Sequence, residues 1–186
     1  MKLGELVVVR HADTDWSESG QHTGRTDLPL NRDGRAAAEE LTSRLAGRDF
    51  AAVWCSPLRR AVETCEIAGF SESAQQRAEL VEWDYGDYEG LTTAQIREQR
   101  PRWDLWRDGC PDGEDAAAVA ARADRVLATV PDAGTVLVFS HGHFLRVLIA
   151  RWLALAPAQG ALFALAPGAI GVLANEHERR VLASLG

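Results

Sequence analysis

Residues 6–9, Leu-Val-Val-Val, are a wholly apolar, mostly β-branched run that stops at Arg10. Such a run predicts a strand covered on both faces, as in a parallel sheet. Residues 135–140 repeat the pattern and lead directly into His141-Gly142-His143. A third run over residues 50–55, with Val53 and Trp54 as core, exits at Ser56-Pro57, and residues 80–82 read as a short strand that ends in Glu82. Helical periodicity appears between these runs. Asn31 is placed to cap a helix whose apolar positions are Ala36, Ala37, Ala38, Leu41 and Leu45 and which Gly47 ends. Pro57 suits the first turn of a helix over residues 58–68, where its missing amide proton has no partner to lose. A helix follows near residues 92–99, Asp115 caps an amphipathic one with Val119, Ala123, Val126 and Leu127 on its apolar side, and residues 144–153 form the last. Residues 170–174 and 179–184 read as strands joined by the polar turn Asn175-Glu176-His177-Glu178. Residues 16–29 have glycines and no period, so they read as a loop, as do residues 83–90. Residues 103–113, rich in Trp, Arg, Pro and Gly, read as a lid or wall. Alternating strands and helices predict an α/β fold, a three-layer α/β/α sandwich with a mostly parallel central sheet and the final hairpin as an antiparallel edge.

The chain has 186 residues, the size of one ordinary domain, and no repeat or linker divides it, so residues 1–186 are expected to form a single domain. A formal net charge of -7 argues against a general nucleic-acid or anionic-membrane surface and makes any cluster of Arg with His more informative. Cys55, Cys65 and Cys110 are odd in number and irregular in spacing, which fits neither a disulfide framework nor a metal knuckle and points to the reducing cytoplasm. No signal core precedes Arg10, and the longest uncharged stretch, residues 152–168, is broken by Pro157, Gly160 and Pro167, so no membrane span is expected.

Open α/β sheets place ligands at the carboxyl ends of their strands. The four predicted exits present Arg10 with His11, Arg59 with Arg60, Glu82, and His141. The segment from Gly20 to Asp27 is a glycine-bearing loop that could bring amides and Arg25 to the same rim. A phosphoryl group carries charge on three non-bridging oxygens, and the planar fork of Arg matches them. A neutral imidazole is a competent nucleophile, and nearby cations keep it unprotonated, which suits His11 beside Arg10 and Arg60. His141 would then donate to the transferring oxygens, and Glu82 would protonate the leaving alkoxide and later deprotonate the attacking water.

Val9-Arg10-His11-Ala12-Asp13-Thr14, Thr23-Gly24-Arg25-Thr26-Asp27-Leu28-Pro29-Leu30, Ser56-Pro57-Leu58-Arg59-Arg60-Ala61, Glu82 before Tyr85-Gly86, Gly113-Glu114 and Ser140-His141-Gly142 together resemble the ordered signature of the histidine phosphatase superfamily, also called phosphoglycerate-mutase-like. The resemblance runs from residue 7 to about 150. It implies that His11 is the phosphohistidine nucleophile, that Arg10, Arg60 and His141 hold the phosphate, and that Glu82 is the proton donor. It selects Arg60 over Arg59, because Arg60 directly precedes the Ala. Thr23 and Gly24 fall where members of the family contact substrate, and His22, Gly142, Trp106 and Arg107 are further candidates for substrate contact. Two departures stand out. Ala12 replaces the usual Gly after the nucleophile, which implies a turn without positive φ, and Asp13 replaces the usual Glu.

The family's cofactor-dependent mutases carry an inserted segment after the Glu that this chain is too short to hold, so hydrolysis is favoured over mutase-type phosphoryl transfer. The resemblance is greatest to small acid-phosphatase and sedoheptulose-bisphosphatase-like members and implies a small phosphomonoester, such as a sugar phosphate, as substrate, with no cofactor. A metallohydrolase built on His11, Asp13, His141 and His143 is disfavoured because Arg10 and Arg60 would repel a cation. A cysteine phosphatase is disfavoured because Cys55 and Arg60 are one residue too close for its phosphate loop. A non-catalytic phospholigand-binding protein is the remaining alternative, against which every residue needed for turnover is present. The sequence leaves the oligomeric state open, a homodimer being one option.

Overall fold

Alternate residues of the central strands feed two separate cores, and that alternation builds the three layers. The computed structural model describes residues 4–186. In it β1 (Glu5–Arg10), β2 (Ala52–Cys55), β3 (Ala74–Gln76), β4 (Thr135–Ser140), β5 (Ile170–Glu176) and β6 (Arg179–Leu185) form one sheet in the order β3-β2-β4-β1-β5-β6. Strands β3, β2, β4 and β1 are parallel, and β5 and β6 continue the sheet antiparallel. Leu6, Val8, Val136 and Val138 pack on one side with the helices α6 (Ala116–Leu127) and α7 (Gly142–Trp152). Val7, Val9, Leu137 and Phe139 pack on the other with α2 (Arg32–Leu45) and α3 (Arg59–Ile67). Strands covered on both faces must be apolar at every position, which is why β1 and β4 stand out in the sequence. Among the described residues no helix is long and apolar enough to cross a membrane.

The caps behave as expected: Asn31 accepts from the Gly34 amide and Asp115 from the Ala118 amide. Pro57 lies just before the N-cap Leu58 of α3, two positions ahead of the first helical residue Arg59. The hairpin turn is tighter than the four residues expected. Glu176 pairs with Arg179, and only His177 and Glu178, both with positive φ, cross between the strands; that geometry matches the strand twist.

Two local expectations are corrected. Residues 16–19, read as part of a loop, belong to the short helix α1 (Asp15–Ser19), held by a reciprocal capping box between Thr14 and Ser17 and burying no residue of its own. Residues 80–82 are not a strand. Ala78–Leu80 is a 3-10 turn that buries Leu80, and the sheet edge is taken by the polar residues of β3. The segment after Glu82 carries a second 3-10 turn (Gly86–Tyr88) and the helices α4 (Thr93–Gln99) and α5 (Leu105–Asp108). Trp103 and Leu105 join the core there, so this segment is a wall.

Candidate active site

The register of the sheet brings the two histidines together. Arg10 is paired with Ser140 across β1 and β4, and the His11 amide donates to the Ser140 carbonyl at 2.8 Å. The next residue of each strand is therefore a histidine on the same rim, and the imidazoles of His11 and His141 lie 5.2 Å apart between ring centres. Both rings are buried.

Each ring has a defined tautomer. Nδ1 of His11 lies 2.7 Å from the Ala12 carbonyl, which can only accept, so Nδ1 carries the proton and Nε2 keeps its lone pair. Ala12 is fully buried and has no positive φ, so this turn works without the glycine. Nδ1 of His141 accepts from Arg60 Nε at 3.1 Å, and a guanidinium cannot accept, so Nε2 of His141 bears the proton and donates to Ser56 Oγ at 2.7 Å.

Of the paired arginines only Arg60 turns inward. Arg59 is exposed, pairs with Glu63 at 2.7 Å, and its amide donates to Asp27 at 2.6 Å, so a protein carboxylate already occupies that helix start. Arg60 is fully buried and donates to the carbonyls of Thr23, Gly24 and Thr26 as well as to His141. It fastens the 23–26 loop to the histidine pair from behind. Arg10 donates through Nη1 to the Leu165 carbonyl at 2.6 Å, while its buried Nε has no protein partner among the described residues. A buried donor left open is costly unless a ligand satisfies it. Gly142 makes room for this guanidinium, since a Cβ there would lie 3.2 Å from Arg10 Cζ and Nε.

Glu82 follows the 3-10 turn, and its nearly buried carboxylate caps α7 from outside the helix. Oε1 accepts from the Phe144 and Trp83 amides, and Oε2 from the His143 amide alone. Helix α7 begins at Gly142, two residues earlier than expected, and so aims these amides at the carboxylate. Arg122 holds the backbone of the same turn. It donates to the carbonyls of Glu79, Val81 and Glu82 and forms a forked pair with Glu114, whose Oε2 also accepts from the Asp84 amide.

A cavity of about 200 Å³ opens in front of these groups, lined among others by Arg10, His11, Glu82 and Gly142. His22 and Thr23 line it too, as proposed from the sequence. Gly24 does not. Its amide donates to Glu89, and a Cβ would lie 2.7 Å from the Trp83 carbonyl, so close packing is what requires this glycine. Arg107, expected to contact substrate, also lies elsewhere. It pairs with Asp108 at 2.7 Å, donates to the Arg102 carbonyl and lines a separate surface groove. Trp106 stands behind the cavity wall, edge-on to Trp83 and His143.

Three lining residues are given no part in substrate contact by the sequence reading. Tyr85 meets His143 Nδ1 through its hydroxyl at 2.6 Å, His143 is half-buried on the cavity wall, and Arg146 reaches the cavity from α7. Arg146 stands four residues after Gly142, hence on the same helix face, which is the signal that could have found it.

Electrostatics favour neutral imidazoles. Burial first, then Arg60 and Arg10, hold the His11 pKa well below its ordinary value. Burial and Arg60 do the same for His141, and burial with Arg146 for His143. Below pH 6.5 the unfolded chain takes up protons that these folded imidazoles refuse, so stability falls as pH falls. The urea midpoint should be lower at pH 5 than at pH 7; an equal or higher midpoint at pH 5 would contradict the assignment of three neutral rings.

The histidine phosphatase superfamily (branch 1) model matches residues 6–186. An acid phosphatase of Mycobacterium tuberculosis is 45% identical over 187 aligned positions, covering 97% of this chain and 91% of that protein. A sedoheptulose 1,7-bisphosphatase of Saccharomyces cerevisiae is 35% identical, covering 80% of this chain and 67% of the yeast protein. The solved structure of an open-reading-frame product from Mycobacterium tuberculosis superposes with a TM-score of 0.90 at 44% identity, covering 98% of this chain and 97% of that one.

Proposed function

The chain belongs to the histidine phosphatase superfamily, and on that premise we propose that it hydrolyses phosphomonoesters without a metal through a phosphohistidine at His11. The observation that carries this reading is the fixed tautomer of His11, which leaves Nε2 unprotonated on a residue that lines one cavity with Arg10 and Glu82.

In the first step the Nε2 lone pair attacks phosphorus as the bond to the leaving oxygen breaks, and that oxygen takes the proton of the Glu82 carboxyl group. Oε2 suits this proton, because it accepts one amide where Oε1 accepts two. In the second step Glu82 takes a proton from water, the water oxygen bonds to phosphorus, and the N–P electron pair returns to Nε2. Arg10 binds the phosphoryl oxygens directly. Arg60 supplies fixed positive charge behind the rings, and His141 donates its Nε2 proton to the phosphoryl group in place of Ser56.

Residues 1–186 act as one catalytic domain in this proposal, with a sugar phosphate or similar small phosphomonoester as substrate; the names of the acid phosphatase and bisphosphatase relatives support that class. Three free thiols, two of them buried, agree with a cytoplasmic setting. The test is release of phosphate from p-nitrophenyl phosphate in excess EDTA. Sustained turnover is expected, and loss of activity restored by a divalent cation would overturn the proposal.

A further inference from the structure

The outer face of the wall that follows Glu82 carries a groove of about 520 Å³, separate from the His11 cavity and larger than it. Arg100, Pro101, Arg102, Trp103, Arg107 and Asp108 line it, so three guanidinium groups meet one carboxylate on a chain whose formal net charge is -7. That carboxylate is already committed. Asp108 forms a forked pair with Arg107 at 2.7 and 2.8 Å and accepts from the Asp104 amide at 2.9 Å.

Arg100 and Arg102 are exposed, and none of the ion pairs found among the described residues includes either of them. Arg100 donates to the neutral hydroxyl of Tyr88 at 3.1 Å, and the guanidinium of Arg102 makes no hydrogen bond among the described residues. The backbone beneath them is braced. Arg97 donates to the Trp103 carbonyl and the Trp103 indole to the Gly109 carbonyl, each at 2.9 Å, and Arg107 donates to the Arg102 carbonyl. Pro101 fixes its own φ between the two open arginines.

A single exposed ion pair contributes little in water, so a lone carboxylate or phosphate would be held weakly here. A ligand that meets several guanidinium groups at once gives up its freedom only once. The arginine fork matches phosphoryl oxygens, and phosphates in series carry more charge per unit length than the carboxylates of a peptide. A long polyanion would run out of the groove onto an acidic remainder that repels it. These constraints together select a short run of phosphates.

We propose that this groove is a binding site for a short oligophosphate anion, free or as the tail of a nucleotide, distinct from the catalytic cavity. Buried Trp103 lies beneath it and stands edge-on to His22 at 5.6 Å, so the groove backs directly onto the cavity wall.

Calorimetric titration of tripolyphosphate into His11→Ala protein at about 0.1 M salt tests it, the variant being used so that the ligand is not consumed. A binding component is expected that weakens by about tenfold or more when Arg100→Gln and Arg102→Gln are added. Arg102→Gln alone, which removes no contact within the protein, should weaken it several-fold, so misfolding cannot account for the loss. Adenosine triphosphate distinguishes the sources: affinity equal to that of tripolyphosphate assigns the site to the phosphates alone, and higher affinity assigns it to a nucleotide. In the otherwise wild-type chain, Arg100→Gln with Arg102→Gln should leave kcat/KM for p-nitrophenyl phosphate unchanged, as a site apart from the cavity requires. No binding of tripolyphosphate, or binding untouched by the arginine substitutions and hence held by the catalytic cavity, would overturn the proposal. So would equally tight binding of hexaglutamate, which would make the groove a surface for acidic peptides.

Discussion

His11→Ala is expected to lower kcat for every phosphomonoester by about 10³-fold or more, because it removes the atom on which the phosphoryl group is carried. The fold should survive the change, since the imidazole makes one hydrogen bond, to the neighbouring Ala12 carbonyl, and the loop is also held by the Ala12 amide on Thr64 Oγ1. Steady-state hydrolysis of p-nitrophenyl phosphate, with thermal unfolding as a control, measures both. Comparable kcat in the two proteins would mean that another group attacks phosphorus.

Glu82→Gln carries the second largest effect, and its signature is a dependence on the leaving group. An alkoxide needs a proton as it departs, whereas p-nitrophenolate is stable without one. General acid catalysis is worth about 10²–10⁴-fold, so the loss in kcat/KM should be of that order for alkyl phosphates and at least about tenfold smaller for p-nitrophenyl phosphate. Gln keeps one acceptor for the start of α7, where Glu82 now receives the amides of His143 and Phe144, so the helix should remain in place. Equal losses in kcat/KM, which reports the leaving-group step alone, would deny Glu82 the role of acid, whereas its role as base in phosphoenzyme hydrolysis lowers kcat equally for both kinds of leaving group. Arg122 and Glu114 matter here because they pin the backbone on either side of Glu82, through the carbonyls of Glu79, Val81 and Glu82 and the amide of Asp84.

The layers were legible in the sequence because strands such as β1 and β4 are buried on both faces and must be apolar throughout, and because Asn31 and Asp115 mark helix starts with side-chain caps. Where burial is slight, the pattern loses its meaning. Helix α1 has no buried residue and is made by a capping box, and β3 is a polar edge strand of three residues, so neither carries a hydrophobic period. Leu80-Val81-Glu82 is too short for any period to tell a strand from a 3-10 turn.

The site divides in the same way. Arg10, His11, Glu82 and Gly142 line one cavity, with His141 and Arg60 packed behind, and strand register alone accounts for the meeting of the two histidines. What the sequence could not give was direction. Arg107 turns to its own neighbour Asp108, Gly24 serves close packing, and Arg60 spends its donors on carbonyls and His141, none of which is encoded in local pattern. Arg146 lay hidden inside a helix whose buried face dominates its composition.

The claim on which the mechanism stands is that the Nε2 of residue 11 becomes covalently phosphorylated during turnover. Rapid quenching of wild-type protein with substrate, followed by peptide mass spectrometry under alkaline conditions, measures it directly. An acid-labile phosphoryl adduct on His11, formed fast enough to account for kcat and absent from His11→Ala, is the predicted result. Turnover with no adduct on His11, or with the adduct on another residue, would contradict it.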